Sequence, residues 1–458
     1  MTLGYPLQII STGSTSGTEE FVLEKENLLS ITKKIPLDCK ISVISVVGAF
    51  RTGKSFLLTL LLRYLKNGSR ADASDGWMLG DGDKLSEGNC NTLSTQDGKS
   101  GDGSSSSSSG VGDSADAKAS SFAWRGGHDR MTTGIWMWSE PFMHLLPDSE
   151  EKVAVLLMDT QGMFDNETTM TLTAQIFGIS TLVSSLQIYN IQNRISEDHL
   201  QHLALFSEYG RIAHQRSDGE KKNGDSKDAA ERSAPSAAPK PFQRLQFLVR
   251  DWANFSEPWP VEDGGGEADT RNREGDCFRR LRGEMKAYLT KLVTARNDAD
   301  LQSTRDQIAR CFERVDCYLL THPGIAATRP DYNGSIRALD PAFRGLVDRF
   351  ARLVFEEQLE AKRVHTRCIT GIELVNYFEA YVALFKSGKG FPKAMTILDA
   401  TSEANNRSAF DLAVSKYTEK VRVGGPSFIY FYKCILLLLH FSYRSCRRTW
   451  ASRHNNCW

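Results

Sequence analysis

The sequence predicts an α/β fold: a mostly parallel central sheet flanked by helices, built round a phosphate-binding loop and followed by a second, helical domain. Three observations predict it. An apolar run from Ile41 to Val47 stops at Gly48, where Gly48, Gly53, Lys54 and Ser55 fill the pattern GxxxxGK[ST], and an apolar helical segment from Phe56 to Tyr64 follows at once. A continuous apolar run from Val153 to Met158, as expected of a buried parallel strand, ends in Asp159-Thr160-Gln161-Gly162. Further along, Ile369 to Phe385 and Met395 to Tyr417 carry helical patterning with no strands between them.

The loop from Gly48 to Ser55 is read from its chemistry. Strand, glycine loop and helix in that order let main-chain N–H groups of Gly48, Ala49, Phe50, Arg51, Thr52, Gly53, Lys54, Ser55 and Phe56 surround phosphate oxygens. Lys54 reaches the β- and γ-phosphates, Ser55 ligates Mg²⁺, and the start of the helix offers its positive dipole end to the anion. Before this loop, PLQII and FVL read as edge strands or a hairpin. After it, residues 66–121 turn rich in Ser, Gly and Asp, with serines from Ser104 to Ser109, and read as a disordered surface insert too poor in apolar residues to offset its ordering entropy.

FAWRGGHDRMTTG, beginning at Phe122, occupies the place of a nucleotide-sensing switch, with Thr132 favoured over Thr133 to complete a Mg²⁺ shell. Ile135 to Trp138 is then a strand. Asp159, at the end of its strand, is placed to hold a Mg²⁺-bound water, and the Gly162 N–H to approach a γ-phosphate. Thr171 to Ser185 reads as a helix, Leu186 to Tyr189 as a strand, and Glu197 to Tyr209 as a helix whose Leu200, Leu203, Phe206 and Tyr209 form a core-packing stripe. Residues 215–240 are a second polar insert. The strand Leu245 to Val249 leads into Arg250-Asp251. No [NT]KxD guanine reader follows any strand, so Asp251 has two readings: a strand-end cap, or a carboxylate that accepts from N1–H and N2–H₂ of guanine. A charged helical stretch spans Cys277 to Arg314, Val315 to Leu320 is a buried strand, and His322-Pro323-Gly324 makes a rigid turn placed to cover a base. Arg337 to Glu360 reads as mostly helical.

Composition narrows the classes. With 458 residues the chain holds two or three domains, and 40% hydrophobic content suffices for a sizeable core. Lys plus Arg and Asp plus Glu both number 56, which gives no reason to expect a nucleic-acid partner. Nine dispersed cysteines form no CxxC pair and suit reduced thiols facing the cytosol; the His365/Cys368 and His454/Cys457 spacings have no second ligand pair beside them. The N-terminus shows no secretory pattern.

Taken together, GAFRTGKSF, FAWRGGHDRMTTGI, VAVLLMDTQGMFD, EDHLQHLALFSEYGR, FQRLQFLVRDW and LLTHPG, with the ANN of the last Ala-rich helix, resemble the atlastins, dynamin-like GTPases that fuse endoplasmic reticulum membranes. Guanylate-binding proteins share the phosphate loop and the Arg-Asp pair, but DTQG and the LQHLALFSEYGR run look closer to atlastin. The similarity runs from about Gly4 to Lys420, apart from the inserts. It implies a GTPase domain, a short linker, a three-helix bundle, two membrane helices and an amphipathic tail; along this sequence the GTPase domain is expected over 1–345, a linker and truncated helical-bundle middle domain over 346–422, and an atypical tail over 423–458. It assigns Arg250 and Asp251 to guanine recognition. It also implies nucleotide-dependent homodimers, and a place at the endoplasmic reticulum membrane with the GTPase domain facing the cytosol.

The tail departs from that family plan. Phe428 to Tyr443 is apolar for about sixteen residues but contains Lys433 and His440, where a spanning helix wants about twenty with few charges. Three readings stand: a different exon or frame, a short or interfacial membrane anchor, or a buried core helix. The first would leave a soluble GTP-binding regulatory product without fusion activity. For hydrolysis, Met163 follows the DxxG motif where many small GTPases carry a water-orienting Gln, so another group must neutralise charge on the phosphates. Arg51, inside the phosphate loop, is the candidate for an arginine finger supplied in cis, a role the resemblance also assigns on dimerisation; the alternative is a salt bridge to a neighbouring acid. Thr132 and Lys54 complete the expected catalytic set, and Arg125 and Arg130 are switch or dimer-face candidates.

Overall fold

The computed structural model describes residues 4–15, 18–67, 75–78, 121–122, 132–147, 149–163, 169–204, 240, 242–260, 267–293, 299–329, 332, 334–364, 367–386 and 394–422. Within them, nine strands form one mixed sheet: β1 (Pro6–Thr15), β2 (Thr18–Leu23), β3 (Lys40–Gly48), β4 (Ile135–Trp138), β5 (Phe142–Leu145), β6 (Lys152–Thr160), β7 (Leu186–Gln192), β8 (Phe242–Arg250) and β9 (Phe312–Leu319). The order across the sheet is β2-β1-β4-β6-β3-β7-β8-β9, with β5 paired to β6. The segment β6-β3-β7-β8-β9 is parallel, while β1, β2, β4 and β5 pair antiparallel.

The central strands read as unbroken apolar runs because helices cover both faces. Eight of the nine residues of β3 and of β6 are buried. Between β3 and β6 the chain forms α2 (Lys54–Asn67), which buries Leu57, Leu58, Leu60, Leu61 and Leu62. Each such leucine contributes about 1.5–3 kcal/mol by leaving water. Near its end the Tyr64 hydroxyl donates to Glu356, and its ring stacks on Phe355 at 5.5 Å between centroids. The first insert is not uniformly polar filler. Lys66 and Asn67 still belong to α2, and Asp75–Met78 is a 3₁₀ turn with Trp77 and Met78 buried, the indole donating to Asp348 at 2.7 Å. Two aromatic-sized anchors sufficed to order a turn that composition alone marked as unstructured. The rest of that insert, and residues 215–239 of the second, lie outside the described residues.

Other helices are α1 (Lys25–Thr32), α3 (Met170–Val183), α4 (Glu197–Ala204), α5 (Glu267–Val293), α6 (Ala299–Cys311), α7 (Pro341–Arg352), α8 (Gly371–Lys386) and α9 (Ala394–Arg422). The expected charged stretch thus resolves into α5 and α6, and α7 is capped by Asp340, whose carboxylate accepts from the Ala342 and Phe343 N–H groups. A π-turn, Leu353–Glu357, follows α7, and a short hairpin of β10 (Arg363–Val364) and β11 (Arg367–Cys368) lies just beyond the helical stretch expected to end at Glu360. α1, β5 and this hairpin had no strong periodic signal. On α4, Leu200 and Leu203 are buried, and its expected continuation to Tyr209 lies outside the described residues.

The chain divides into two compact units, Met1–Ala404 and Asn405–Trp458. α8 packs into that first unit: the Gln175 amide donates to the Phe385 carbonyl at 3.1 Å, Lys25 pairs with Glu379, and a Cβ on Gly371 would meet Ile35 at 3.1 Å. Of the second unit the structure describes residues 405–422, the C-terminal part of α9. No described helix is long and apolar enough to cross a membrane, and residues 423–458 lie outside the described set.

Lys362 lies fully buried beneath the sheet, donating to the Ser184 carbonyl at 2.8 Å. Burial drives its ammonium pKa down to about 7. Below pH 7 folded and unfolded chains both carry the proton and the burial penalty is complete. As pH rises from 7 toward the ordinary lysine value the folded state sheds its proton first, so the penalty is relieved. The unfolding free energy of the wild type relative to Lys362→Met should therefore climb between pH 7 and 10, with a slope approaching about 1.4 kcal/mol per pH unit. A flat difference in denaturant titrations would show that this lysine is not desolvated.

Candidate functional site

Five parallel strands, β6, β3, β7, β8 and β9, end at one edge of the sheet, and every expected site residue except Thr132 sits on them, in the loops that follow or, for Lys54, Ser55 and Phe56, in the first turn of α2. Register fixes their alignment: Val46 lies opposite Asp159, Gly48 opposite Asn190, Gln192 opposite Arg250, and Val249 opposite Leu319. Thr132 precedes β4, which runs antiparallel beside β6 with Ile135 opposite Thr160, so its loop reaches the same edge. The carboxyl edge of a parallel sheet is where α/β folds place ligands, because the chain leaves each strand there toward a helix.

The phosphate-type loop is closed on itself and held from two sides. Lys54, 7% exposed, donates to the Ala49 carbonyl at 2.9 Å, and the Thr52 hydroxyl donates to the same oxygen at 2.9 Å. On one side the loop pairs with the DTQG segment: Phe50 N–H donates to the Met163 carbonyl at 2.9 Å, and Met163 N–H to Gly48 at 3.0 Å. A Cβ at Gly162 would lie 2.6 Å from the Phe50 Cα, so only glycine permits this contact. On the other side the Asn190 amide donates to the Thr52 carbonyl at 2.8 Å and hydroxyl at 2.9 Å. Phe56, at the start of α2, packs edge-on to Tyr332 with centroids 6.3 Å apart.

Three oxygen donors converge beside the loop. Ser55 Oγ donates to Asp159 Oδ2 at 2.5 Å, Thr132 Oγ1 lies 3.3 Å from the same oxygen, and the two hydroxyls are 3.4 Å apart. Asp159 is 2% exposed; burial pushes its carboxyl pKa up, opposed by the Ser55 hydrogen bond, the Lys54 charge and the Thr132 hydroxyl. Its Oδ1 is buried with no partner among the described residues. Two hydroxyls and a carboxylate with a spare oxygen form a hard donor set suited to Mg²⁺. Thr133 is separated from this group by its own bonds: Gln8 Nε2 donates to its carbonyl at 3.0 Å and approaches its hydroxyl at 3.4 Å. Gln161 fastens the segment to β6, accepting from Gly134 N–H at 2.9 Å through Oε1 while its own N–H donates to the Gly134 carbonyl at 2.8 Å.

At the far end of the same edge, Asp251 adopts a left-handed backbone (φ 59°), which turns the chain out of β8. Its Oδ2 accepts from Gln192 Nε2 at 2.9 Å, and its Oδ1 is buried without a partner among the described residues. Trp252 N–H donates to the Leu320 carbonyl at 3.0 Å, tying this turn to the one that carries His322. His322 is exposed, and its Nδ1 accepts from Gly324 N–H at 3.0 Å. Arg250 reaches toward the phosphate-type loop. Its guanidinium is desolvated, which lowers its pKa, and it donates to the Thr52 carbonyl, gripping the phosphate-type loop from behind.

Arg51 is exposed, in left-handed backbone (φ 61°), with its guanidinium 5.7 Å from the Phe50 ring centroid and no acidic partner among the described residues. Arg125 and Arg130 lie outside the described residues. Two residues that sequence reasoning passed over, Asn190 and Gln192, hold the loop and Asp251. Their signal was a polar side chain closing the apolar run LQIYNIQ, the same signal that singled out Asp159.

The family profile described as guanylate-binding protein, N-terminal domain, matches residues 18–363. Among curated relatives, Atlastin of Drosophila melanogaster is 35% identical over 418 residues, covering 90% of this chain and 63% of that protein. Atlastin-1 of Bos taurus is 35% identical over 386 residues, 84% of this chain and 55% of the relative. Atlastin-2 of Homo sapiens is 34% identical over 420 residues, 91% and 58% respectively. The chain thus spans between half and two thirds of the length of these relatives.

Proposed function

Because the chain belongs to the guanylate-binding protein N-terminal domain family, we propose that it binds GTP along this edge of the sheet and hydrolyses it to GDP and phosphate. The observation that carries the reading is the alignment of a phosphate-type loop, the Ser55–Thr132–Asp159 oxygen cluster and the Asp251 carboxylate on one sheet edge. Main-chain N–H groups of the loop between Gly48 and Phe56, other than that of Phe50, which Met163 holds, receive the phosphates, and Lys54 places its ammonium among them. Ser55, Thr132 and Asp159, the last through water, would hold Mg²⁺, which would neutralise negative charge on the phosphates.

Water attacks the γ-phosphorus as the β–γ phosphoanhydride bond breaks, and negative charge builds on the leaving oxygen. Arg51, without an acidic partner among the described residues and on the loop that surrounds the phosphates, swings over that charge. Met163 offers no group to orient water, and Gln161 is committed to Gly134. Asp251 reads the base and His322 borders it, while Arg250 supports the loop. Hydrolysis accompanies pairing of two copies through this face, and the likeness to atlastins supports a role in endoplasmic reticulum membrane fusion and shaping.

Purified chain should bind GTP in preference to ATP and release phosphate only with Mg²⁺ present. Asp251→Asn replaces one acceptor with a donor facing guanine N–H groups, and should erase most of the GTP preference, a change of roughly tenfold or more. An unchanged GTP-to-ATP ratio in competition titrations would remove Asp251 from the base site. Size-exclusion with GDP–fluoroaluminate should show a dimer, and a persistent monomer would defeat the pairing step.

A further inference from the structure

Gln192 closes β7 directly opposite Arg250 at the end of β8, so its side chain and that of Asp251 leave neighbouring strand ends together. Both chains then turn through left-handed residues, Asn193 (φ 62°) and Asp251 (φ 59°), and Asn193 N–H donates to the Arg250 carbonyl at 2.8 Å. The two exits are thereby fastened to each other. Gln192 is exposed, within reach of a ligand on this edge.

Its amide has a defined sense. A carboxylate only accepts, so the contact between Gln192 Nε2 and Asp251 Oδ2 at 2.9 Å commits the NH₂ group to Asp251. What remains is Oε1, an acceptor with no partner among the described residues, standing beside Oδ2. Guanine carries three N–H donors on the edge that a carboxylate reads: one on N1 and two on the exocyclic N2. Asp251 takes N1–H and one N2–H, and the second N2–H is left over. We propose that Gln192 is a second specificity-determining residue, whose Oε1 accepts this remaining N2–H so that the 2-amino group is read by two side chains. The inference rests on the assignment of Asp251 to guanine recognition.

The test compares GTP with ITP, whose base lacks only the 2-amino group, in the wild type and in Gln192→Met and Gln192→Ala, by competition titration on the full chain. The wild type should prefer GTP by more than about tenfold, since ITP leaves acceptors on both Asp251 and Gln192 unpaired. Either variant should lose about five- to tenfold in GTP affinity and little in ITP affinity, so that their ratio contracts. Were Gln192 only a prop for Asp251, GTP and ITP would weaken together, because both share N1–H, and an unchanged ratio in this sense overturns the proposal. A wild type that does not separate GTP from ITP overturns it without any variant, which covers the case in which both substitutions disturb folding. If the wild type shows no preference for GTP over ATP, the guanine assignment itself fails and this inference with it.

Discussion

Lys54→Ala is expected to abolish GTP binding, raising the dissociation constant by at least about a hundredfold. Lys54 is 7% exposed and its ammonium is already drawn into the loop by the Ala49 carbonyl. A charge so placed delivers its interaction with phosphate at low local dielectric, and removing one partner of a buried charged pair costs about 2–5 kcal/mol or more. In the alanine variant the Ala49 carbonyl keeps the Thr52 hydroxyl as its donor, so the loop should survive without its ligand. Fluorescence titration with a labelled GTP analogue reads the effect directly, together with a thermal melt to show that the chain is folded. Wild-type affinity in a folded Lys54→Ala protein would dismantle the nucleotide assignment as a whole.

Arg51→Ala is the opposite kind of change: binding should stay within a few fold while single-turnover hydrolysis falls by roughly 10³–10⁵, the range for a transition-state arginine. Its side chain is exposed and lies over the Phe50 ring, with no ion pair among the described residues to lose, so neither folding nor ground-state binding depends on the guanidinium. Backbone strain complicates alanine alone. At φ 61° a non-glycine residue is disfavoured, and Arg51→Gly relaxes that position while also deleting the guanidinium. Loss of turnover in both variants assigns the effect to the side chain. Recovery in Arg51→Gly alone would place it in the backbone, and wild-type turnover in either would end the case for a cis-acting arginine.

Much of the site was legible because its chemistry is written into short contiguous patterns. Gly48 to Ser55 and Asp159 to Gly162 each sit at the end of an unbroken apolar run, and a polar or glycine stop after such a run marks where a buried strand surfaces. The strand boundaries followed from the same contrast: β4 matches its expected limits, and β3 and β6 each extend one residue or more beyond theirs. What escaped notice had no local contrast. α1 and the Arg363–Cys368 hairpin are short and mixed in composition. Trp77 and Met78 looked isolated in a polar insert until the fold brought Tyr64 and Asp348 to Trp77 and Arg63 to the Met78 carbonyl.

Arg250 shows the limit most clearly. Its position beside Asp251 pointed to the base, and the sequence held no sign that its guanidinium also grips the Thr52 carbonyl. Adjacent residues leaving a strand point to opposite faces, so adjacency argues against a shared task as readily as for one.

The residue order by itself determined that this chain builds a parallel sheet around a phosphate-type loop, because run length, glycine placement and a terminal carboxylate are local properties. Only the folded arrangement decided which threonine joins Ser55 and Asp159, that Asn190 and Arg250 brace the loop, and that Gln192 lies on Asp251. Those are contacts between strands far apart in the chain. They are set by strand order and register, which depend on how whole apolar faces pack and which no short window of sequence contains.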